Sequence, residues 1–465
     1  MSQTFQIDQL VDEQKIRGFN LSLLFWSFLA MLADGYDINA LAFAQPELER
    51  LWHVPKAAFG PASSAALVGI LLGAPLLGYL GDRLGRKTAI ILGSAVYGVS
   101  SLAIVWSQDL NQVMALRFVA GIGLGGLMPN TIALNSELAP KRLRATLITL
   151  MFVGITLGSS VPGVIAYTLM PHYGWRVLFL IGGLVPLAIA LCLTRGLPES
   201  VKFLALRGGR QRELVATARK MRRDLLIADD AHFVTVHAPA DGDATVQWQL
   251  FAGGLTWITP LLWVCFATAL MANYFLGSFL PLIFRDSGLP AGQAALAATL
   301  YHVGGTVGGL LMSVLLDRFG FVVIALLFVV AAPAVAALGA VQPTFAALAP
   351  LATLAGLAVL GAQFGNNAAA GLLYPTHVRS KGVGWALGVG RFGAILGPLV
   401  GGTLLGMNLP LWQLFLGAAA PMLVGAVAAV ILVRLCYTRL GGLRLGDVPV
   451  RGALRLARGA RASAP

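Results

Sequence analysis

The sequence predicts an all-α integral membrane protein: twelve transmembrane helices in two parallel-repeat six-helix bundles. Three observations predict it. Hydrophobic residues make up 57% of the 465 residues and charged residues 11%, with mean hydropathy +0.78; soluble domains carry about 25% charged residues. The apolar residues gather into runs near the ~20 residues that cross a ~30 Å hydrocarbon core. Residues of the two halves also recur at one fixed displacement.

The apolar windows fall at about 20–44, 57–80, 88–107, 111–136, 145–169 and 175–194, then at about 256–284, 292–316, 320–341, 346–373, 382–406 and 411–436. They divide the chain into an N-terminal segment (1–19), a six-helix bundle (20–194), a linker (195–255), a second bundle (256–436) and a basic tail (437–465). One set of breaks is basic: Arg83, Arg86 and Lys87; Lys141, Arg142 and Arg144; Arg318; Arg379 and Lys381. The linker and tails share that side, so the positive-inside rule makes both termini and the linker cytoplasmic in a cell inner membrane. Within the linker, Gln211–Leu226 has helical character and suits a membrane surface, whereas 228–245 reads as polar and mobile. The first twenty residues lack the layout of a cleavable signal peptide.

A formal charge of +13 raises nucleic acid as a partner, but the basic residues are dispersed between apolar spans. They fit topology and contacts with membrane lipids, not a nucleic-acid interface. The basic tail fits anionic lipid as well as it fits a solvated charge reserve. Cys192, Cys265 and Cys436 lie in or beside apolar runs and read as free thiols. The sequence has no metal cluster, nucleotide loop or nucleophile–base constellation, so neither a cofactor nor an enzyme is expected. A monomer is expected.

Pro140 and Arg144 recur as Pro375 and Arg379, Gly158 as Gly393, and Asp82-Arg83 as Asp317-Arg318, all at a displacement of 235 (375 minus 140). A fixed offset in matching loops and helices marks parallel repeats, which place a substrate site between halves that rock.

The first span contains Asp34-Gly35-Tyr36-Asp37. Each carboxylate in a span costs roughly 2.5–3.5 kcal/mol on insertion scales and must face protein or a water-filled cavity. Three residues apart, the two share a helix face and repel, so that at least one can take up a proton. Span four opens with Arg117 and continues Gly121-Ile122-Gly123-Leu124-Gly125-Gly126. No strand precedes these glycines, so helix packing explains them better than phosphate binding. Arg117 lies near a predicted membrane edge, where snorkelling is one reading. Arg391 lies about ten residues into span eleven, where a guanidinium needs an anion. It fits a clamp on a substrate carboxylate, a partner of a protein carboxylate, or a snorkelling cation. Asn366, Asn367 and Gln363 in span ten want hydrogen-bond partners, with helix–helix bonding as the alternative to substrate. Tyr36, Tyr274 and Trp385 are candidate ring contacts, though single aromatics more often pack in a core or face lipid.

Gly78-Tyr79-Leu80-Gly81-Asp82-Arg83-Leu84-Gly85-Arg86-Lys87, with its echo Leu316-Asp317-Arg318-Phe319-Gly320, resembles the loop 2–3 signature of the major facilitator superfamily. Gly154, Gly158, Pro162 and Gly163 are similar to its fifth-helix signature, and Leu197-Pro198-Glu199-Ser200 to the pattern closing span six. Asp34-Gly35-Tyr36-Asp37 further resembles the aromatic acid:proton symporters of that superfamily. So do Leu127-Met128-Pro129-Asn130 before Glu137-Leu138-Ala139-Pro140, and Tyr374-Pro375-Thr376 before Gly382–Ala394. The resemblance covers nearly the whole chain apart from the tails and linker.

It implies import of an aromatic carboxylate of the benzoate, hydroxybenzoate or protocatechuate kind with protons, by alternating access. Asp34, Asp37, Arg117 and Glu137 would couple protons. Arg117 would favour an ionised carboxylate and release its proton when substrate arrives. Arg391, Asn366, Asn367, Gln363, Tyr36, Tyr274 and Trp385 would meet the substrate. Gly78, Gly81, Asp82, Arg83, Gly85, Arg86, Asp317 and Arg318 would serve the conformational change. A superfamily porter for a sugar, another metabolite or a drug, and a non-transporting aromatic sensor, are the competing expectations.

Overall fold

Hydrocarbon offers no partner to backbone N–H and C=O groups, so apolar runs of this length must close their hydrogen bonds internally, as helices. In a computed structural model describing residues 4–14, 18–207, 209–234, 250–251, 255–374 and 379–440, they do. The helices are α1 (Ile7–Asp12), α2 (Gly18–Trp52), α3 (Phe59–Leu84), α4 (Arg86–Ala103), α5 (Leu110–Leu138), α6 (Lys141–Thr168), α7 (Met170–Tyr173), α8 (Arg176–Gly196), α9 (Val201–Arg207) and α10 (Gln211–Met221). Then come α11 (Leu255–Asp286), α12 (Ala291–Phe319), α13 (Val322–Ala337), α14 (Phe345–Leu373), α15 (Arg379–Gly406) and α16 (Leu411–Leu440).

Among the described residues, eleven helices are long and apolar enough to cross a membrane. The twelfth expected span, 320–341, forms the shorter α13 of 16 residues, about 24 Å long. Gly320, at φ +67°, precedes it, and i→i+3 bonds from Leu338, Gly339 and Ala340 tighten its end. Large apolar side chains such as Leu21, Leu191 and Val427 stay exposed at 60%, 66% and 62%, as expected of helix faces meeting lipid.

The chain separates into two compact units, Met1–Val54 with Pro61–Asp241 and Pro55–Gly60 with Gly242–Pro465. The 235-residue displacement reappears inside them as matching helix contacts. In the first unit, a Cβ on Gly69 would collide with the Phe118 carbonyl and one on Gly158 with that of Leu32. In the second, the colliding pairs are Gly304 with Thr353 and Gly393 with Ala267, each residue 235 further on. Backbones this close need small residues, so the repeat is legible in the glycines that allow α3 to meet α5, α12 to meet α14, α2 to meet α6 and α11 to meet α15.

The linker departs from expectation. The apolar face of α10 packs into a cluster of Leu10, Val215, Ala218, Ile227 and Ala231, leaving it none to lay on a membrane. Residues 232–234, expected to be mobile, form a strand paired in parallel with residues 4–6. Residues 235–249, Pro375, Thr376 and the basic tail from 441 onward lie outside the described residues.

Candidate functional site

The α2 segment carrying the two carboxylates is held against α6 by the residue between them. A Cβ on Gly35 would collide with the Ile155 carbonyl, so glycine here sets the helix separation. Asn39 and Ser159 add hydrogen bonds to the Gly35 carbonyl at 3.4 and 3.3 Å. Asn135 on α5 donates to Ser27 Oγ at 2.7 Å, tying α5 to α2.

At that depth Asp37 and Arg117 meet. Arg117 Nη1 donates to Asp37 Oδ2 at 2.6 Å and to the Asp37 backbone oxygen at 2.8 Å. Asp37 is 0% exposed and Arg117 1%, so the snorkelling reading of Arg117 falls: this is a buried ion pair inside the first unit. Ser101 Oγ on α4 donates to the other carboxylate oxygen at 3.3 Å. Arg117 Nε is buried without a hydrogen-bond partner. Asp34 lies one turn back on α2, 6% exposed.

Two tyrosines close the surroundings. Tyr97, four residues before Ser101 on one α4 face, donates to the Ala33 carbonyl at 2.9 Å. Tyr36 donates to the Leu178 carbonyl on α8 at 2.7 Å and is buried, so its hydroxyl already has an acceptor in the protein. Sequence reasoning missed Tyr97 and Ser101. The i, i+4 spacing that puts both on one α4 face is a weak signal, because Ser94 and Ser100 lie in the same span.

Glu137 does not join this group. It lies twenty residues beyond Arg117 on α5 (137 minus 117), about 30 Å along the axis. There Arg86 reaches Glu137 Oε1 at 3.5 Å while pairing with Asp82 one turn away. Gly85, at φ +106°, makes the turn before α4. A Cβ on it would strike the Glu199 carboxylate, which accepts the Lys87 N–H at 3.3 Å and the Ser200 N–H at 2.9 Å. Glu199 thus accepts N–H groups at the start of α4, and burial pushes its carboxyl above the ordinary value although those N–H bonds oppose it. Gly81 abuts Asn130, whose amide donates to the Leu77 carbonyl at 3.1 Å. Arg83 lies over the Tyr79 ring at 4.7 Å, and Gly78 has open space beside it.

In the second unit, Arg391 is half-buried on α15. Asn366 is 0% exposed, with both amide atoms lacking hydrogen-bond partners, and Gln363 Oε1, one turn earlier, is likewise buried and unpartnered. Asn367 is exposed and Tyr274 half-buried. Trp385, 48% exposed, stacks on Trp263 at 5.9 Å. Arg318 lies over the Phe319 ring at 5.3 Å, and the Asp317 side chain is outside the described residues. No group of three or more His, Cys, Asp or Glu residues that could hold a metal occurs among the described residues.

Apolar spans, a buried Asp–Arg pair and a glycine-bearing turn between the second and third spans describe a polytopic membrane protein with charge held inside its helices. The Major Facilitator Superfamily model matches residues 27–259 and 262–459, and the chain belongs to that superfamily. Among characterised relatives, the chain is 36% identical to the 4-hydroxybenzoate transporter PcaK of Pseudomonas aeruginosa, over 92% of this chain and 95% of that one. It is 36% identical to a gallate transporter of Pseudomonas putida, over 90% and 93%, and 32% identical to a benzoate transport protein of Acinetobacter baylyi, over 92% of each. Of solved structures, the xylose transporter XylE of Escherichia coli shares the fold with a TM-score of 0.67 at 17% identity, covering 88% of this chain and 97% of that one.

Proposed function

We propose that this chain imports an aromatic carboxylate of the benzoate, hydroxybenzoate or protocatechuate kind by proton symport with alternating access. It would do so in the bacterial inner membrane as a monomer with both termini cytoplasmic. The observation that carries the reading is the buried Asp37–Arg117 pair with Asp34 one turn away. The names of the relatives supply the substrate class.

An inside-negative potential opposes entry of an anion by ~2.3 kcal/mol per charge per 100 mV. One accompanying proton cancels that opposition and adds ~1.36 kcal/mol per unit of pH gradient. In this reading Asp34 or Asp37 takes the proton. Protonation of Asp37 would remove the anion that holds Arg117, giving the pair two arrangements to switch between. Arg391 offers a planar fork to the substrate carboxylate, while Asn366, Asn367, Gln363, Tyr274 and Trp385 meet the ring and its substituents. Tyr36 then acts through its ring and its bond to Leu178. Glu137, on α5, joins Arg86 and Asp82, and with Gly78, Gly81, Arg83 and Gly85 they serve the conformational change in the first unit, as Asp317 and Arg318 do in the second.

The test is uptake of labelled aromatic and aliphatic carboxylates into proteoliposomes, with pH gradient and potential imposed separately. Aromatic uptake should follow an acid-outside gradient. Asp34→Asn or Asp37→Asn should abolish gradient-driven accumulation, and Arg391→Ala should raise KM for carboxylates. Uptake that ignores the gradient, or that survives both Asp substitutions, refutes the coupling. A panel in which only sugars or aliphatic compounds enter refutes the substrate class.

A further inference from the structure

Two segments far apart in the chain fold together outside the membrane-spanning helices. Thr4–Gln6 (β1) pairs in parallel with His232–Val234 (β2), Phe5 opposite Phe233, with the two rings stacked at 5.9 Å. Beneath them lies the cluster of Leu10 with Val215, Ala218, Ile227 and Ala231, so the apolar faces of α1 and α10 cover each other. Arg222, its side chain only 9% exposed, bridges Glu13 at 3.1 Å and Asp224 at 3.0 Å. Gln211 donates to the Ala231 carbonyl at 2.6 Å.

The same N-terminal arm grips the junction of α5 and α6. Helix ends leave carbonyls and N–H groups without intrahelical partners. Here the local sequence supplies little, because the N-cap of α6 is Pro140, which makes no side-chain cap, and the residue closing α5 is Ala139. The arm provides both caps. Gln14 Nε2 donates to the Leu138 carbonyl at 2.6 Å, and Gln14 is fully buried. Asp12 Oδ1 accepts the Lys141 backbone N–H at 3.1 Å, while its other oxygen meets the Lys141 ammonium at 2.7 Å. Arg142 closes the contact by donating to the Gln14 carbonyl at 3.2 Å. Slight burial pushes the Asp12 carboxyl up, but Lys141 outweighs it and holds the carboxyl below the ordinary value, so the cap is ionised at neutral pH.

We propose that residues 4–14 are a clasp: they cap the α5–α6 junction from outside, fasten the linker to it, and thereby hold Glu137 where Arg86 meets it. Every contact belongs to the first unit. The clasp therefore stays closed while that unit moves as a body, and linker residues 209–234 travel with it.

The test uses the full chain with Cys192, Cys265 and Cys436 replaced by Ser. Phe5→Cys with Phe233→Cys should form an intrachain disulfide on mild oxidation, and the oxidised protein should retain its uptake rate. Asp12→Ala and Gln14→Ala each remove a cap. In detergent each should speed tryptic cleavage at the exposed linker residues Lys220 and Arg223 by about fivefold, the equivalent of ~1 kcal/mol per cap. Asp12→Glu should restore protection. In proteoliposomes the Ala variants should lower the maximal uptake rate and leave KM unchanged. Failure of the disulfide to form, loss of uptake on oxidation, or Ala variants cleaved at the parent rate would each overturn the clasp. Cross-linking and proteolysis are read without transport, so they stand or fall separately from the proposed substrate.

Discussion

Removing one partner of the Asp37–Arg117 pair should harm the protein far more than removing both. In Arg117→Met the Asp37 carboxylate stays 0% exposed, with Ser101 at 3.3 Å as its one remaining side-chain donor among the contacts described. In Asp37→Leu the Arg117 guanidinium keeps, among the contacts described, the backbone oxygen at 2.8 Å. Stranding a buried charge costs about 3–5 kcal/mol, whereas replacing a buried pair by apolar groups of similar volume is often neutral or better. If the two residues acted independently, the double variant would lose about 6–10 kcal/mol, the sum of the singles. The buried pair instead predicts a double variant more stable than either single one and within ~2 kcal/mol of the parent. Unfolding titrations in mixed micelles, followed by tryptophan fluorescence, give the four free energies of the cycle. Additive losses, or single variants within ~1 kcal/mol of the parent, would refute a desolvated charge pair at this position.

Two further outcomes follow from the packing. Gly35→Ala and Gly158→Ala each push a Cβ into a backbone carbonyl of a neighbouring helix, so each should destabilise by about 1–3 kcal/mol. Gly78→Ala, with open space around it, should not, and thermal melts in detergent distinguish them. The Glu199 carboxyl is raised in the folded state by burial, so its contribution to stability is complete below the ordinary value of 4.5 and is lost as pH rises through the folded value. Glu199→Gln should flatten that alkaline decline. Melts compared at pH 5 and pH 8 check it: a slope equal to the parent's counts against the assignment.

What the sequence made legible is what the solvent imposes. Lipid demands long apolar helices, so the spans could be read from hydropathy; only α13 came out shorter, because Gly320 and the 338–340 turn lie inside the apolar window. Backbone contact demands small residues, so Gly158 and Gly393 disclosed the repeat before Leu32 and Ala267 were known to face them. Asp34 and Asp37 stood out because charge is costly in a span. Arg117 stayed ambiguous: seven residues from the start of α5, it is as compatible with an interface as with a core. Only the depth at which α2 crosses α5 decides in favour of the core. Tyr97 and Ser101 gave no such warning, since hydroxyls in membrane helices commonly bond their own backbone, as Thr168 and Ser160 do. The clasp was hidden for a different reason. Three-residue strands separated by more than 200 positions have no periodicity to detect, and capping residues that act on another helix look like ordinary polar residues in their own. Chemistry concentrated in one span can therefore be found by composition. Chemistry assembled by tertiary contact between short polar segments requires the fold first, and in this chain that second kind governs the ends of helices α5 and α6.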